Sequence, residues 1–411
     1  VDMTSQKWLT EKEVNQPIWR HWMTITKPDT VVSDISSLHI TGGDMDKTAP
    51  TGGRGGDAER ALLTQSVVTT LYMVPNQPLI FVGDETIGRY EDGLIAYCWD
   101  KYLRSGDEKW LPRYPMTKSA VRAMDTVTSI MASDAGGNIE VDQFVVSGES
   151  KRGWTTWTTA IVDNRVIAIM PTVIDMLNVV ESFKHHYEVY GGYSNAVADY
   201  IRMGVFAWTD TPEYNALLDL VEPFQYRDRL TLPKLIVNST QDQFFLPDSS
   251  QFYWDDLVGE KHVLYVPNTD HGLGGSDVAN SMNAWYHAIV HNVSMPRYSW
   301  DLAEDGTITL FCLDEPSEVL LWQAHNPKER NFMIKEAGKN AYKSSKLSEV
   351  SPGKYQVKLD APKEGFTAYY VEVHYPSGLK VPFKFSTGVK IVPDTVEHKW
   401  EKAKKSERKE L

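Results

Sequence analysis

Short apolar segments alternate with longer segments of helical period in the middle of the chain. Near-continuous apolar, β-branched runs predict buried strands, which fall at residues 66–74, 79–82, 142–147, 166–172, 234–239 and 262–266. Apolar residues at helical spacing predict helices between them, at residues 93–103, 118–132, 150–162, 248–258 and 277–290. This alternation is typical of an α/β domain with a mainly parallel sheet.

Two segments before and within this domain have a different character. Residues 18–26 predict a further strand, whereas the glycine-rich stretch 42–57 lacks the ending of a phosphate-binding loop and is interpreted as a mobile connector. The interval between the fourth and fifth strands is too long for a simple crossover. We therefore expect an inserted helical cap over about residues 175–222.

The C-terminal part of the chain changes pattern again. Residues 296–395 alternate like strands between Gly and Pro turns, which predicts a separate, antiparallel β-sandwich domain of immunoglobulin-like type. The α/β domain is then expected to cover residues 1–295. Residues 396–411 form a charged tail.

Composition narrows the class of partner. The 411 residues include 42 Lys and Arg against 55 Asp and Glu, a net charge of -13, which provides no electrostatic footprint for nucleic acid or an anionic membrane. No apolar run reaches the roughly 20 residues of a membrane helix, so we expect no integral membrane segment. Cys98 and Cys312 are too few for a disulfide scaffold and are predicted to be free thiols. The charge, the apolar runs and the cysteine count are those of an ordinary globular protein, and they are compatible with an enzyme.

The sharpest local signal is the segment VDQFVVSGESKRGWTTW. An apolar strand ends, a tight turn follows, and a helix with Trp154 and Trp157 on one face comes next. This context is expected of a nucleophile elbow, with Ser150 at its apex. The second glycine, Gly153, lies one place later than in the common G-x-S-x-G pattern. A helix N-cap serine is the alternative, since serine is a favoured cap residue.

An elbow predicts an acid and a histidine later in the chain, each on a loop after a strand. Asp242 follows the fifth predicted strand, and His271 follows the sixth. A serine hydroxyl needs a general base, and the histidine needs a buried carboxylate that fixes its tautomer. Ser150, His271 and Asp242 are therefore the predicted catalytic triad. Asp175, after the fourth strand, is the reserve acid.

The reaction also needs two backbone donors for the oxyanion. Lys151, directly after the nucleophile, supplies the first. The second is expected from the loop after the first predicted strand, with Met73 or Val74 as the main candidates and Asn76 as a further one.

Other side chains are candidates for the substrate pocket or for structural roles. The pocket candidates near the elbow or in the cap are Glu149, Arg152, Tyr193 and Trp208. Within that set, an internal ion pair between Arg152 and Glu149 is the expected state. His185 and His186 are expected to be a surface pair. His287 and His291 lie four residues apart, but Ala288 replaces the glutamate of the zinc-protease motif, so neither a metal nor another cofactor is expected.

Four segments together resemble a known family: SGESKRGWTTW, VNSTQDQFFLPDSS, VPNTDHGL and LLWQAHNPKERNF. They are similar to the PhoPQ-activated pathogenicity-related protein family, which comprises bacterial proteins with eukaryotic relatives. The resemblance implies an α/β-hydrolase domain followed by a β domain, usually in an exported protein. We therefore expect a periplasmic or extracellular location, with the leader absent from this sequence. The resemblance also implies Ser150, Asp242 and His271 as the triad, and it names no substrate.

Three interpretations follow from the sequence. The first is a serine hydrolase that acts on a small-molecule or peptide substrate, with an ester favoured because no charged or extended peptide subsite is marked. An aminopeptidase stays open, since the cap carries acids suited to holding an amine, namely Glu181, Glu188 and Asp199. A secreted binding or signalling protein on a hydrolase scaffold is also open, because a fold alone does not determine function.

Overall fold

A computed structural model of the chain describes residues 1–85 and 87–403. The strands β1 to β17 are, in order, Asp2–Lys7, Ile18–Thr26, Ile35–Ile40, Val67–Leu71, Gln143–Glu149, Val166–Thr172, Lys234–Ser239, Lys261–Val266, Tyr298–Leu302, Ile308–Cys312, Glu318–Asn326, Lys343–Lys346, Glu349–Ser351, Lys354–Val357, Phe366–Tyr375, Phe383–Ser386 and Lys390–Val392. The helices α1 to α9 are Asp57–Thr64, Glu91–Ser105, Arg113–Met131, Lys151–Val162, Val179–Tyr190, Ala198–Arg202, Pro212–Val221, Val278–Val290 and Ile334–Ala337. Short 3-10 turns cover Glu108–Trp110, Asn195–Val197, Val205–Trp208, Pro223–Arg229 and Ser249–Phe252. No described helix combines the length and the apolar character that a membrane crossing requires.

Most of the predicted elements are confirmed. The strands predicted at 18–26, 166–172 and 234–239 have the bounds of β2, β6 and β7, and four predicted helices correspond to α2, α3, α4 and α8. The interval predicted as a helical cap contains α5, α6 and α7. The elements β1, β3 and α1 were not predicted. Both cysteines are free, as expected.

Two predicted elements are wrong. Residues 79–82 form isolated bridges instead of a strand. The helix predicted at 248–258 is a single 3-10 turn. Its first residue, Asp248, is held in a buried ion pair, and Tyr253 leaves the helical conformation at φ -145 to bond Asp175. Tertiary contacts therefore override the helical spacing of this segment.

The chain divides into two compact units. The first contains Val1–Thr172, Val197–Pro233 and the described residues from Glu401 onward, and the second contains Val173–Ala196 and Lys234–Trp400. The predicted cap is thus shared between the units. The domain bounds inferred from the sequence stay a prediction.

The first unit is built on a mixed sheet with strand order β1-β2-β4-β3-β5-β6. The strands β4, β3, β5 and β6 are parallel neighbours, whereas β1 and β2 are antiparallel. The central strand β3 has a half-polar sequence, and two of its three polar side chains bond the adjacent strands, Ser36 with Thr69 and His39 with Ser147. Because β4 and β5 are parallel, the loops that follow them leave the same edge of the sheet.

The second unit contains parallel and antiparallel strands. β7 and β8 are parallel, so the loops that carry Asp242 and His271 leave one edge. β8 also pairs with β16, after which β15, β11 and β12 continue antiparallel, and β17 pairs with β15. A four-stranded antiparallel sheet has the order β13-β14-β10-β9. The antiparallel character predicted for residues 296–395 is confirmed, and the immunoglobulin-like arrangement stays a prediction.

Candidate active site

Ser150 lies at the turn between β5 and α4 with φ 56 and ψ -121. A positive φ is strained for a residue with a side chain and persists where neighbouring contacts enforce it. Here the Ser150 N–H donates to the Thr172 carbonyl at 2.8 Å, and the Ser150 carbonyl accepts the Trp154 N–H at 3.0 Å. A Cβ on Gly148 would lie 2.8 Å from the Arg152 carbonyl oxygen, so this position requires glycine. The strand, the positive-φ turn and the helix have the backbone form expected of a nucleophile elbow, and the role of Ser150 stays a prediction.

Glu91 is the common partner of the two cations at the start of α4. Arg152 donates to both carboxylate oxygens of Glu91 at 2.6 Å, and Lys151 Nζ lies 2.9 Å from the same group. Arg152 Nε also donates to the Val74 carbonyl at 2.5 Å. Burial alone would raise the pKa of Glu91, but Arg152 and Lys151 lower it to about 2. The expected pair between Arg152 and Glu149 is therefore wrong, because the guanidinium is bound by Glu91.

Glu149 has different partners. Its carboxylate lies 3.3 Å from His39 Nε2 and 3.4 Å from an Arg54 guanidinium nitrogen. Burial opposes ionisation, but His39 and Arg54 together lower the pKa of Glu149 to about 2. Arg54 belongs to the glycine-rich stretch 42–57, so this stretch contacts the turn at Ser150 through that ion pair, and its mobility stays a prediction.

Two of the predicted oxyanion donors are already bonded. The Met73 N–H donates to the Gly42 carbonyl at 3.0 Å, and the Val74 N–H donates to the Thr41 carbonyl at 3.1 Å. Neither N–H is free for a substrate oxygen, so the prediction for these two residues is wrong. Lys151 is the first residue of α4, and its N–H therefore has no acceptor inside the helix.

Asp242 and His271 form a direct pair on the loops after β7 and β8. Asp242 Oδ2 lies 2.7 Å from His271 Nδ1, and Asp242 Oδ1 accepts the Phe244 N–H at 2.7 Å. The Asp242 side chain is 3% exposed. A buried carboxylate at Nδ1 holds the proton on that nitrogen and leaves Nε2 as the basic one. In the described part of the chain, His271 Nε2 is buried without a hydrogen-bond partner.

The reserve acid, Asp175, is engaged elsewhere. Its two carboxylate oxygens accept the hydroxyls of Tyr253, at 2.5 Å, and Tyr265, at 2.7 Å. Burial raises the pKa of Asp175 to about 7, although both tyrosine bonds oppose this shift. The geometry therefore favours Asp242 over Asp175 as the partner of His271.

The raised pKa of Asp175 predicts a pH-dependent contribution to stability. Between about pH 4 and pH 7 the folded protein retains a proton on Asp175 that the unfolded chain releases, so the free energy of unfolding falls as pH rises through this range. The slope is at most about 1.4 kcal/mol per pH unit. Asparagine stays neutral at every pH. The free energy of unfolding of Asp175→Asn, relative to that of the wild type, is therefore expected to rise steadily from pH 5 to pH 7.

Urea unfolding of both proteins at pH 5, 6, 7 and 8 tests this expectation. The difference between the two free energies of unfolding should shift toward the variant up to about pH 7 and then level off. Parallel pH profiles for the two proteins would show that Asp175 titrates at an ordinary pKa in the folded state.

A cleft of about 810 Å³ in the second unit flanks the acid–base pair. It is lined by sequence neighbours of the pair, namely Gln243, Phe244 and Asp270. The Phe244 ring lies 4.3 Å from the His271 ring, between centroids. Tyr193, a predicted pocket residue, also lines the cleft.

Other predicted residues lie away from this cleft. Trp208 is buried in the first unit. His186 is 2% exposed and His185 Nε2 lies 3.0 Å from Asp248, so the expected surface pair of histidines is wrong. The buried carboxylate that draws His185 inward follows a strand distant in sequence, and no local pattern reveals it. Among the described residues, no cluster of three or more His, Cys, Asp or Glu side chains suits a metal ion.

Comparisons with known proteins match most of the length of this chain. The model of the PhoPQ-activated pathogenicity-related protein family matches residues 1–333. Autocrine proliferation repressor protein A of Dictyostelium discoideum is 36% identical over 424 aligned positions, which cover 96% of this chain and 85% of that protein. Among solved structures, acetyl xylan esterase 1 from Thermoanaerobacterium sp. JW/SL YS485 has a TM-score of 0.46 at 13% identity, covering 71% of this chain and 87% of that one. An acetyl xylan esterase from Paenibacillus sp. R4 has a TM-score of 0.45 at 14% identity, covering 66% and 79%. The family match includes Ser150, Asp242 and His271.

Proposed function

The chain belongs to the PhoPQ-activated pathogenicity-related protein family, and we propose that it is a serine hydrolase that cleaves an ester or amide. The observation that carries this proposal is the elbow conformation of Ser150, with φ 56 directly after a buried strand. A helix N-cap serine normally has an extended backbone and uses its side chain to cap the helix. Ser150 has neither feature, since its side chain makes no cap hydrogen bond.

The proposed chemistry assigns a role to each residue. Ser150 Oγ attacks the substrate carbonyl carbon while His271 Nε2 accepts the hydroxyl proton. Asp242 keeps the other ring nitrogen protonated and stabilises the imidazolium that forms. His271 then donates its proton to the leaving group, and water hydrolyses the acyl-enzyme by the reverse sequence.

The oxyanion of the tetrahedral intermediate needs donors at fixed positions. The Lys151 N–H is the first. The second donor is the side-chain amide of Asn76, since the Met73 and Val74 N–H groups are already bonded. Asn76 is 1% exposed, and its Nδ2 has no hydrogen-bond partner among the described residues. A buried, unsatisfied amide donor is costly to the fold and is typical of a functional site.

An ester is the favoured substrate over an amino-terminal peptide. The three acids that suggested an aminopeptidase do not line the cleft beside the acid–base pair. Glu181 and Asp199 are instead held by the cations Lys184 and Arg202. The cleft is lined mainly by aromatic and amide side chains, together with the charged side chains of Asp270, Lys335 and Glu336.

Labelling with a fluorophosphonate probe tests the nucleophile. The wild type should be labelled at a single serine, and Ser150→Ala should abolish labelling without a change in circular dichroism or thermal midpoint. Ser276→Ala is the matched control, because Ser276 also occurs in a Gly-x-Ser sequence, does not directly follow a strand and does not line the cleft. A folded wild type that resists the probe would refute the proposal.

A signalling role is the second candidate, because of the name of the relative from Dictyostelium discoideum, an autocrine proliferation repressor. An exported location, proposed from the family resemblance, is consistent with such a role. A proliferation assay with wild type and Ser150→Ala separates the two functions. Equal repression by both proteins would show signalling without hydrolysis, whereas loss in the variant would make hydrolysis part of the signal.

A further inference from the structure

A second cleft lies in the first unit, apart from Ser150. It has a volume of about 510 Å³ and is lined by α3, α4, the end of α7 and the 3-10 turn that follows. Its apolar side chains are Val121, Ile161, Val162, Leu220 and Val221. Val162 is 61% exposed, which is unusual for an aliphatic residue in a cleft and leaves apolar surface in contact with water. We call this cleft the α3–α4 groove.

The α3–α4 groove is basic although the chain as a whole carries a net charge of -13. Its lining includes Arg113, Lys118 and Arg229, and none of its lining residues in the described part of the chain is acidic. Lys118 and Arg229 are exposed and have no carboxylate partner among the described residues. Two exposed cations without a carboxylate partner, and the buried Arg113, therefore border an apolar surface.

Arg113 is the most informative of the three cations. Its side chain is almost fully buried, at 4% exposed. One guanidinium nitrogen donates to the Lys151 carbonyl at 3.0 Å, and the guanidinium lies 4.4 Å from the centre of the Trp154 ring. Its Nε has no hydrogen-bond acceptor among the described residues. Among the described residues, the Asp92 carboxylate attracts this cation without forming an ion pair with it, and an anion bound beside the guanidinium would stabilise the buried charge further.

We propose that the α3–α4 groove binds a single-chain anionic amphiphile, a free long-chain carboxylate. The apolar side chains of α3, α4 and α7 would cover the alkyl chain, and the three cations would attract the carboxylate head. A neutral alcohol would lack the charge interaction, and an alkylammonium would be repelled. The proposal does not depend on the hydrolase reaction, since none of the groove residues belongs to the proposed triad.

Titration calorimetry with dodecanoate and tetradecanoate, below their micelle concentrations, tests this proposal. Each added methylene should tighten binding about fourfold until the chain outgrows the groove. Binding should weaken between 0.05 and 0.5 M NaCl, because Lys118 and Arg229 are exposed to screening. Dodecanol and dodecyltrimethylammonium should each bind at least tenfold more weakly than dodecanoate. Equal binding of all three compounds would overturn the proposal.

Variants locate the site. The double variant Lys118→Glu/Arg229→Glu should bind dodecanoate at least tenfold more weakly and keep the thermal midpoint and short-ester hydrolysis of the wild type. The double variant Lys12→Glu/Lys363→Glu changes the net charge by the same amount at two exposed lysines outside the groove and should bind normally. Ser150→Ala should also bind normally. Loss of binding in Ser150→Ala, but not in the double variant, would place the carboxylate at the hydrolase site and overturn the proposal.

A membrane surface is the remaining alternative ligand. Vesicles of neutral phosphatidylcholine with and without anionic phosphatidylserine distinguish it in a sedimentation assay. Free dodecanoate should bind while neither vesicle sediments the protein. Sedimentation with the anionic vesicles, without binding of free dodecanoate, would replace the proposed site by a lipid-surface contact.

Discussion

Asp242→Asn is expected to lower kcat for ester hydrolysis by about 10⁴-fold, whereas Asp175→Asn keeps a rate near that of the wild type. Asp242 contacts His271 Nδ1 at 2.7 Å, and an amide in its place favours the wrong histidine tautomer and leaves the imidazolium unstabilised. The two carboxylate oxygens of Asp175 accept hydrogen bonds from the Tyr253 and Tyr265 hydroxyls, and Asp175 makes no such contact with His271. Steady-state rates on a p-nitrophenyl ester give both numbers directly.

Each of these two variants serves as the control for the other. Both replace a buried aspartate of the second unit by an isosteric amide, so a general loss of folding would affect them alike. Fluorophosphonate labelling should slow in Asp242→Asn and stay unchanged in Asp175→Asn. If Asp175→Asn were the inactive variant, the acid would be Asp175, and the pair seen between Asp242 and His271 would be structural.

Arg330→Met is expected to lower the free energy of unfolding by about 3–5 kcal/mol. Arg330 and Asp248 lie 2.7 Å apart with side chains 2% and 3% exposed, and removing the cation leaves a buried carboxylate without its main partner. His185 Nε2, 3.0 Å from the same carboxylate, remains as a hydrogen-bond partner. Urea unfolding at pH 7.5 measures the loss.

An exposed ion pair provides the matched control for Arg330→Met. Lys358 and Asp305 lie 2.8 Å apart, but their side chains are 50% and 59% exposed. Lys358→Met should therefore leave the free energy of unfolding close to that of the wild type. A cost for Arg330→Met that is equally small would mean that the buried carboxylate of Asp248 is hydrated or protonated once its partner is removed.

Features with a local cause were predictable from the sequence. Apolar runs located β5, β6, β7 and β8, because strands covered on both faces must be continuously apolar. The candidate residues Ser150, Asp242 and His271 followed from their positions directly after such strands. The loops that follow neighbouring parallel strands lie at the same edge of the sheet. Because β7 and β8 are parallel, their positions in the sequence were enough to predict that Asp242 and His271 lie close together.

Features with a distant cause were not predictable. The strand β3 is half polar, and side chains of the neighbouring strands bond one of its two serines and its histidine. Arg152 is bound by Glu91, far from it in the chain, rather than by the nearer Glu149. The Met73 and Val74 N–H groups are occupied because residues 41 and 42 pass beside them, which no pattern within the loop reveals.

Gly42 connects several of these distant contacts. A Cβ on Gly42 would lie 2.3 Å from a guanidinium nitrogen of Arg152, which is itself fixed by Glu91 and the Val74 carbonyl. A side chain at residue 42 would therefore push the guanidinium away from these bonds unless a shorter residue stood at 152. In an alignment of family members, positions 42 and 152 should therefore vary together, and an arginine at 152 should be accompanied by glycine at 42.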